Sequence, residues 1–472
     1  MKKIAFFLAL ILMLTPMLMA CNSSEDETQK EAPSVSKEEI DTGYSLDDLR
    51  ELDFAEEQFG IFIDKGGAHY LISEEETGDL VGDAVFQRNI AIEDKYNLTF
   101  NMVEAEVNQP NSVIRNYIMA DDKTFHMYVN VATSPMFEMI LNGYFVDWND
   151  LDDINYENPY WNSRVATDIN YGGKVYTMGG DLNLTTYNST NCLIFNKSLF
   201  DDLGIDYPYQ DVYDYTWTID KMIEIVKQGY SDLNGNSTWD KEGDRIGFTG
   251  WGWEMNTAVY IGMGGMPVIN DENNMPALNL NNDRTVKIFD KILELFDKQN
   301  AYSEMSNYAT VGQLLSEGRL LIADRFINSL SINRNSDYEY GLIPYPMLDE
   351  EQGEYNSRAA NIAHLCYIPT TNTQLQDTGL ILEAMSIESY NNVRPTYYDV
   401  TLSLKEAVDE ETIDMVDIVL ASSTYMYEGF VDSAGIIGRV IGNQSNTFSS
   451  WYAANEAVFK KMIEKMVDFY GA

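Results

Sequence analysis

LTFNMVEAEVNQPNSVIRNYIMADDKTFHMYVNVATSPMFEMILNGY, residues 98–144, reads strand, helix, strand, helix in a single pass. In LTFNMV (98–103), Leu98, Phe100 and Met102 fall on one face, the period of a half-buried strand. SVIRNYIMA (112–120) predicts a helix and HMYVNV (126–131) a strand. SPMFEMILNGY (134–144) predicts a helix that begins at Ser134, carries Pro135 in its first turn and stops at Gly143. Ahead of this stretch, GIFI (60–63) reads as a strand and DAVFQRNIAIEDKYN (83–97) as a helix. The β-α-β-α-β order implies an α/β fold with a mainly parallel sheet covered on both faces.

A second series follows. VYTM (175–178) and CLIFN (192–196) read as strands flanking DLNLTTYNST (181–190), a polar stretch without periodicity. TWTIDKMIEIVKQGY (216–230) predicts a helix capped by Thr216 or Thr218, and RTVKIFDKILELF (284–296) one with Val286, Phe289, Leu293 and Phe296 on a stripe. VGQLLSEG (311–318) is a helix stopped by Gly318. RLLIAD (319–324), YGLIPYP (340–346) and AHLCYIP (363–369) are strands, and from about 376 the chain is mostly helical. The folded part runs from near residue 50 to 472, too long for one hydrophobic core, so two domains are expected.

The N-terminus addresses the compartment. Lys2 and Lys3 precede the apolar run IAFFLALILMLTPMLMA (4–20), and LMAC (18–21) closes it with a small residue before a cysteine. This reads as a bacterial lipoprotein signal peptide over 1–20, with lipid carried on Cys21; an uncleaved anchor helix is the alternative. Residues 21–50 are polar and acidic and read as a disordered tether. Removing residues 1–20 takes away two lysines, leaving 29 basic residues against 75 acidic ones, so the formal charge falls from −44 to −46. Such a charge opposes nucleic acid and anionic headgroups and favours a neutral ligand. Cys192 and Cys366 lie in apolar strand-like runs and read as buried free thiols, with a disulfide between them as the alternative.

Little in the sequence suggests catalysis. The three histidines, His69, His126 and His364, share no metal-ligand spacing, and the GxSxG elbow and the phosphate-binding GxxxxGK[ST] loop are absent. With 75 acidic residues, a glycosidase pair could be drawn almost anywhere. The informative stretch is GFTGWGWEMN (247–256), where glycines interleave with Trp251 and Trp253 and offer flat faces for a sugar ring. Trp161 in NPYWN (158–162) and the crossover from Asp181 to Tyr187 are further ligand-binding candidates. DLNGNSTWDKEGD (232–244) sets Asp232, Asn234, Asn236, Thr238 and Asp240 at alternate positions, the spacing of a calcium loop. Ser237 and Gly243 stand where an EF-hand has glycine and glutamate, so Glu242 or Asp244 must close the shell. Without metal, Asp-Asn-Gly runs also form ordinary turns.

CLIFNKSLFDDLGID (192–206), TWTIDKMIEIVKQGYSDLNGN (216–236), LLSEGRLLIAD (314–324), YGLIPYPMLDEE (340–351) and TGLILEAMSIESYNNVRPTYYDV (378–400) follow one another in a meaningful order. With the lipobox and tether, they make the chain resemble the extracellular solute-binding proteins, family 1, the carbohydrate-binding lipoproteins of ABC transporters. The resemblance implies a two-lobed periplasmic-binding-protein-like fold (type II), with lobe 1 formed by 51–183 plus 352–395 and lobe 2 by 184–351 plus 396–472. Crossovers are expected near 181–188, 346–356 and 392–398. It further implies a sugar or oligosaccharide in the interlobe cleft, delivery to a membrane permease, lipid anchoring on the outer face of the bacterial membrane, no bond chemistry, and Ca2+ as a structural staple remote from the cleft. An extracellular glycosidase is the alternative, and a dockerin-like module a more distant one.

Overall fold

The computed structural model describes residues 42–106, 108, 110–237, 243–297, 301–305, 308–360, 362–400, 409–427 and 433–472. Its strands are β1 (Gln58–Ile63), β2 (Thr99–Glu104), β3 (Met127–Val131), β4 (Asn191–Asn196), β5 (Ile246–Trp251), β6 (Val268–Asn270), β7 (Pro276–Leu278), β8 (Ala301–Met305), β9 (Leu320–Phe326), β10 (Tyr340–Ile343), β11 (Ser357–Arg358), β12 (His364–Tyr367) and β13 (Ser423–Thr424).

Two sheets organise the molecule, in the orders β12-β3-β1-β2 and β10-β4-β9-β5-β8. Each has its own buried apolar cluster, the first around Phe59, Ile61, Val129 and Leu365, the second around Ile194, Phe248, Ile322 and Leu342. β1 runs parallel to β2 and β3, and β5 parallel to β8 and β9. The second sheet departs from the expected parallel pattern, because β4 is antiparallel to both β9 and β10. β12 likewise enters the first sheet antiparallel to β3. These reversals arise where the chain returns from the other sheet, a connection that helix-by-helix reading cannot see. The central strands β3 and β4 are buried throughout and mostly apolar, as covering on both faces demands, while β2 is an edge strand with half-exposed side chains.

Local chemistry sets the helix ends. Asp79 accepts from the Gly82 N–H ahead of the helix Leu80–Tyr96, and Asn97 ends it in the left-handed conformation. Asn196 caps the helix Lys197–Leu203, and Gly204 closes it at φ 67°. Ile219–Gly229 follows Thr218 at the N-cap position, whose side chain makes no capping bond, and buries Ile219, Met222, Ile223 and Val226. In Asp283–Leu295 the buried stripe is Ile288, Phe289, Ile292 and Leu295, so Val286 and Leu293 sit at its margin instead of its centre. VYTM (175–178) forms no strand; its Met178 makes a lone pairing with Cys366. The hairpin β6–β7 has no counterpart in the sequence expectations.

The sheets are joined through several segments. The first passes through 181–190, where the polar stretch forms a single buried helical turn, Thr185–Asn188. The return runs through 357–363, later than the expected 346–356, with Thr190 paired to Ala359 and β11 parallel to β13. Then the helix Leu375–Glu388 continues through one π-turn, Ser389–Val393, into Arg394–Val400. Pro395 supplies no N–H to that ladder, which accounts for the irregular turn. The C-terminal part does not keep to the second sheet. In the helix Phe448–Tyr470, Phe448, Tyr452 and Phe459 pack in the second core, whereas Met466 and Tyr470 pack in the first. Cys366 and Cys192 are buried free thiols in different sheets.

Candidate functional site

Open α/β sheets bind ligands beyond the carboxyl ends of their parallel strands. At that end of β1, Asp64 is buried; its Oδ1 accepts from Gly66 N at 2.9 Å and lies 3.3 Å from His364 Nε2. At the corresponding end of β5, Trp251 leads directly into the helix Gly252–Gly262. Arg358 lies in the return crossover and His364 opens β12 directly after it, and Arg358 pairs with the carboxylate of Glu254 in the first turn of that helix. One short segment therefore ties the carboxyl ends of both sheets, with Ile362 exposed between the two anchors.

Trp251 and Trp253 are 37 % and 42 % exposed, open enough to offer ring faces to a ligand. Neither is loose. Trp251 meets Tyr308 edge-on at 5.7 Å, Tyr308 meets Phe326 at 5.1 Å, and the Arg358 guanidinium lies 5.6 Å from the Trp253 ring. Behind them, Asp324 Oδ1 accepts from Asn191 Nδ2 at 2.9 Å and Tyr345 Oη at 2.7 Å, and its Oδ2 from Tyr308 Oη at 3.0 Å. Burial pushes the Asp324 carboxyl up to about 7, with the nearby Glu254 charge adding to the shift and the tyrosine hydrogen bonds opposing it. Gly250 makes this approach feasible, since a Cβ there would stand 2.4 Å from the Asp324 Cβ. The interleaved glycines thus seat the tryptophans against a rigid polar base.

The other candidates gather elsewhere. Trp161, Asp181 and Tyr187 line a cavity of about 390 Å³ beside the crossovers, together with Arg394, Tyr398 and Tyr425. Trp161 is 4 % exposed and donates Nε1–H to Glu383 at 2.7 Å, so it serves the core more than an open stacking face. Asp181 accepts from the Tyr187 hydroxyl and sits 3.4 Å from Arg394, whose guanidinium also faces the Tyr187, Tyr390 and Tyr398 rings. Burial raises Asp181 to about 6 against the pull of Arg394. Arg358, Tyr308 and Phe326 were not singled out by sequence; each sits next to a strand end, and only the register of the sheets brings them to Trp251 and Trp253.

Of the calcium-loop residues, Thr238 and Asp240 lie outside the described residues. Asp232 accepts from the Gly235 and Ser237 N–H groups and Asn234 from that of Asn236, the bonds of a tightly wound turn. The pairing of Ser231 with Arg245 closes the loop and sets buried Asp244 across its neck from Asp232. Among the described residues no three His, Cys, Asp or Glu side chains are grouped to hold a metal ion. His126 is structural, accepting from Gly60 N at 3.0 Å and stacked on Phe59. Cys21 also lies outside the described residues.

No protein-family model matches the chain, and no curated protein matches it in sequence. Solved structures match it over most of its length. The cyclic α-maltosyl-1,6-maltose binding protein of Arthrobacter globiformis aligns with a TM-score of 0.56 at 13 % identity, covering 85 % of this chain and 98 % of that one. An ABC substrate-binding protein from Listeria monocytogenes in complex with cycloalternan gives 0.52 at 13 %, covering 86 % and 99 %. An ABC transporter solute-binding protein from Agrobacterium radiobacter in complex with ribitol gives 0.52 at 12 %, covering 87 % and 100 %. The chain, with its two sheets joined by several crossovers, shares the fold of these solute-binding proteins.

Proposed function

We propose that this chain is the carbohydrate-binding component of an ABC importer, tethered to the outer face of the bacterial membrane through lipid on Cys21. The observation that carries the reading is the pair of exposed tryptophans, Trp251 and Trp253, held at the carboxyl end of β5 by Arg358, Glu254 and Tyr308. Proteins of similar fold hold cycloalternan and ribitol. Indole faces stack on the apolar side of a pyranose, and the first N–H groups of the helix Gly252–Gly262 are donors for its hydroxyls. A sugar that touches both sheets' strand ends binds the closed arrangement better than the open one and so favours closure. The closed form is the one a permease would accept. No bond is made or broken in this cycle, and the Glu254 carboxylate is engaged by Arg358 instead of standing free as an acid or base. The 232–244 loop, whose donors are all oxygens, fits a hard cation such as Ca2+ acting as a staple.

A panel of mono- and oligosaccharides, polyols and short peptides, screened by thermal midpoint, tests the proposal. A ligand at 100 times its dissociation constant adds about 2.7 kcal/mol, which raises the midpoint by about 3 °C for a protein of this size. A shift confined to saccharides is the expected result. A shift with peptides alone, or none, contradicts it.

A further inference from the structure

A second cavity lies away from the tryptophans and the crossovers. About 800 Å³ in volume, within the range of small-molecule sites, it opens at the C-terminal end of the helix Gly252–Gly262, beside Gly264 and Met266. That helix rises about 16 Å, so the cavity is separate from the tryptophans at its start. One wall is the segment 164–175, which packs with the first sheet; the opposite wall is formed by 264–279 and 351–356.

The walls are locked. Asn270 Nδ2 donates to the Thr167 carbonyl at 2.9 Å and the Asn170 carbonyl at 3.2 Å, and Gly172 N donates to Asn274 O at 2.6 Å. Gln352 Nε2 donates to Gly262 O at 2.8 Å while its Oε1 accepts from Arg284 at 3.1 Å. Within this frame some polar groups remain uncommitted. Asn356 is only 5 % exposed; its Oδ1 accepts from Arg164 at 3.0 Å and Thr424 at 3.1 Å, while its Nδ2 donor has no partner among the described residues. Lys174 forms no ion pair among the described residues. Asp168 presents a carboxylate that burial raises to about 6 despite its ion pair with Arg164. Val175, Met266 and Val268 supply an apolar floor. Three cationic side chains, Arg164, Lys174 and Arg284, balance Asp168, Glu351 and Glu354 in the lining. In a chain of formal charge −44 that local balance suits a neutral ligand. No aromatic ring lines the cavity, so stacking is not its mode of recognition.

We infer that this cavity is a second ligand site, taking a small neutral polyhydroxyl compound, a monosaccharide or polyol, by hydrogen bonds from Asn356 and Lys174 over the Met266–Val268 floor. Its ligand bridges walls attached to both sheets. Occupancy is therefore linked to any change in their separation, and the coupling with ligand in the cleft is reciprocal.

Glucose, myo-inositol and ribitol are the probes, each titrated calorimetrically into the full chain in detergent. In the Trp251→Ala/Trp253→Ala protein, at least one probe should still bind saturably. Adding Ala166→Trp, which fills the cavity from the 164–175 wall, should weaken that binding at least tenfold, and Lys174→Ala should weaken it without filling the space. Thermal midpoints establish that each variant is folded. The inference is overturned if no probe saturates the tryptophan-less protein, or if binding there is indifferent to both Ala166→Trp and Lys174→Ala. Loss of oligosaccharide binding by the cleft, tested separately, bears on the importer reading and leaves this result standing.

Discussion

Two buried charged residues decide how the cleft base behaves. Arg358 is fully buried, and its partners Glu254 and Asn191 come from the helix after β5 and the start of β4. Removing it leaves an uncompensated carboxylate in a low-dielectric site, so Arg358→Ala should lower unfolding free energy by about 3–5 kcal/mol, read from denaturant midpoints. Asp324 makes a prediction about pH. Its folded value, about 7, is raised above the ordinary 3.8, so it binds a proton more tightly folded than unfolded. Its contribution to stability is fully present below about 3.9 and is lost as pH rises through 7. Stability should therefore decline across that window, by up to about 1.4 kcal/mol for each unit by which the value is displaced. Asp324→Asn should flatten the decline, and a chain in which the slope is unchanged would show that the carboxyl is ionised throughout.

Elements that carry their own punctuation were legible in the sequence. Pro135 and Gly143 bracket one helix, Gly318 stops another, and the continuous apolar runs of β4, β9, β10 and β12 lie where they read. What the sequence could not convey is pairing direction, since the continuous apolar run of β4 reads the same beside a parallel or an antiparallel neighbour. The hairpin β6–β7 was missed because its strands are three residues each, too short for a period to show. For the site, Trp251 and Trp253 stood out through their glycines, whereas Trp161, a weaker candidate of the same kind, is buried on Glu383. An indole in a polar stretch does not reveal whether its N–H faces solvent or a core carboxylate. At the 232–244 loop, the staple proposal predicts that chelating calcium lowers the thermal midpoint and that Asp232→Asn removes the effect. Equal midpoints with calcium and with chelator would make the segment an ordinary turn.

Across the whole molecule, the arrangement of the two sheets depends on connections rather than on any single motif. The crossover at 181–190 and the π-turn Ser389–Val393 meet at Arg88, a buried arginine whose guanidinium donates to Leu182 O, Tyr70 O and Ser389 Oγ. This one side chain links the outgoing crossover to the helical one, so the two sheets share a common pivot. The return segment reaches the carboxyl ends of β5 and β1 through the Arg358–Glu254 and His364–Asp64 pairs. Binding without chemistry is the central claim, and one measurement tests it most directly. The saccharide that shifts the midpoint is titrated into the protein and into Trp251→Ala/Trp253→Ala, then recovered and weighed by mass spectrometry. The account predicts at least about tenfold weaker affinity in the variant, equivalent to 1.4 kcal/mol, and sugar recovered intact. Cleaved sugar, or equal affinity without the tryptophans, would contradict it.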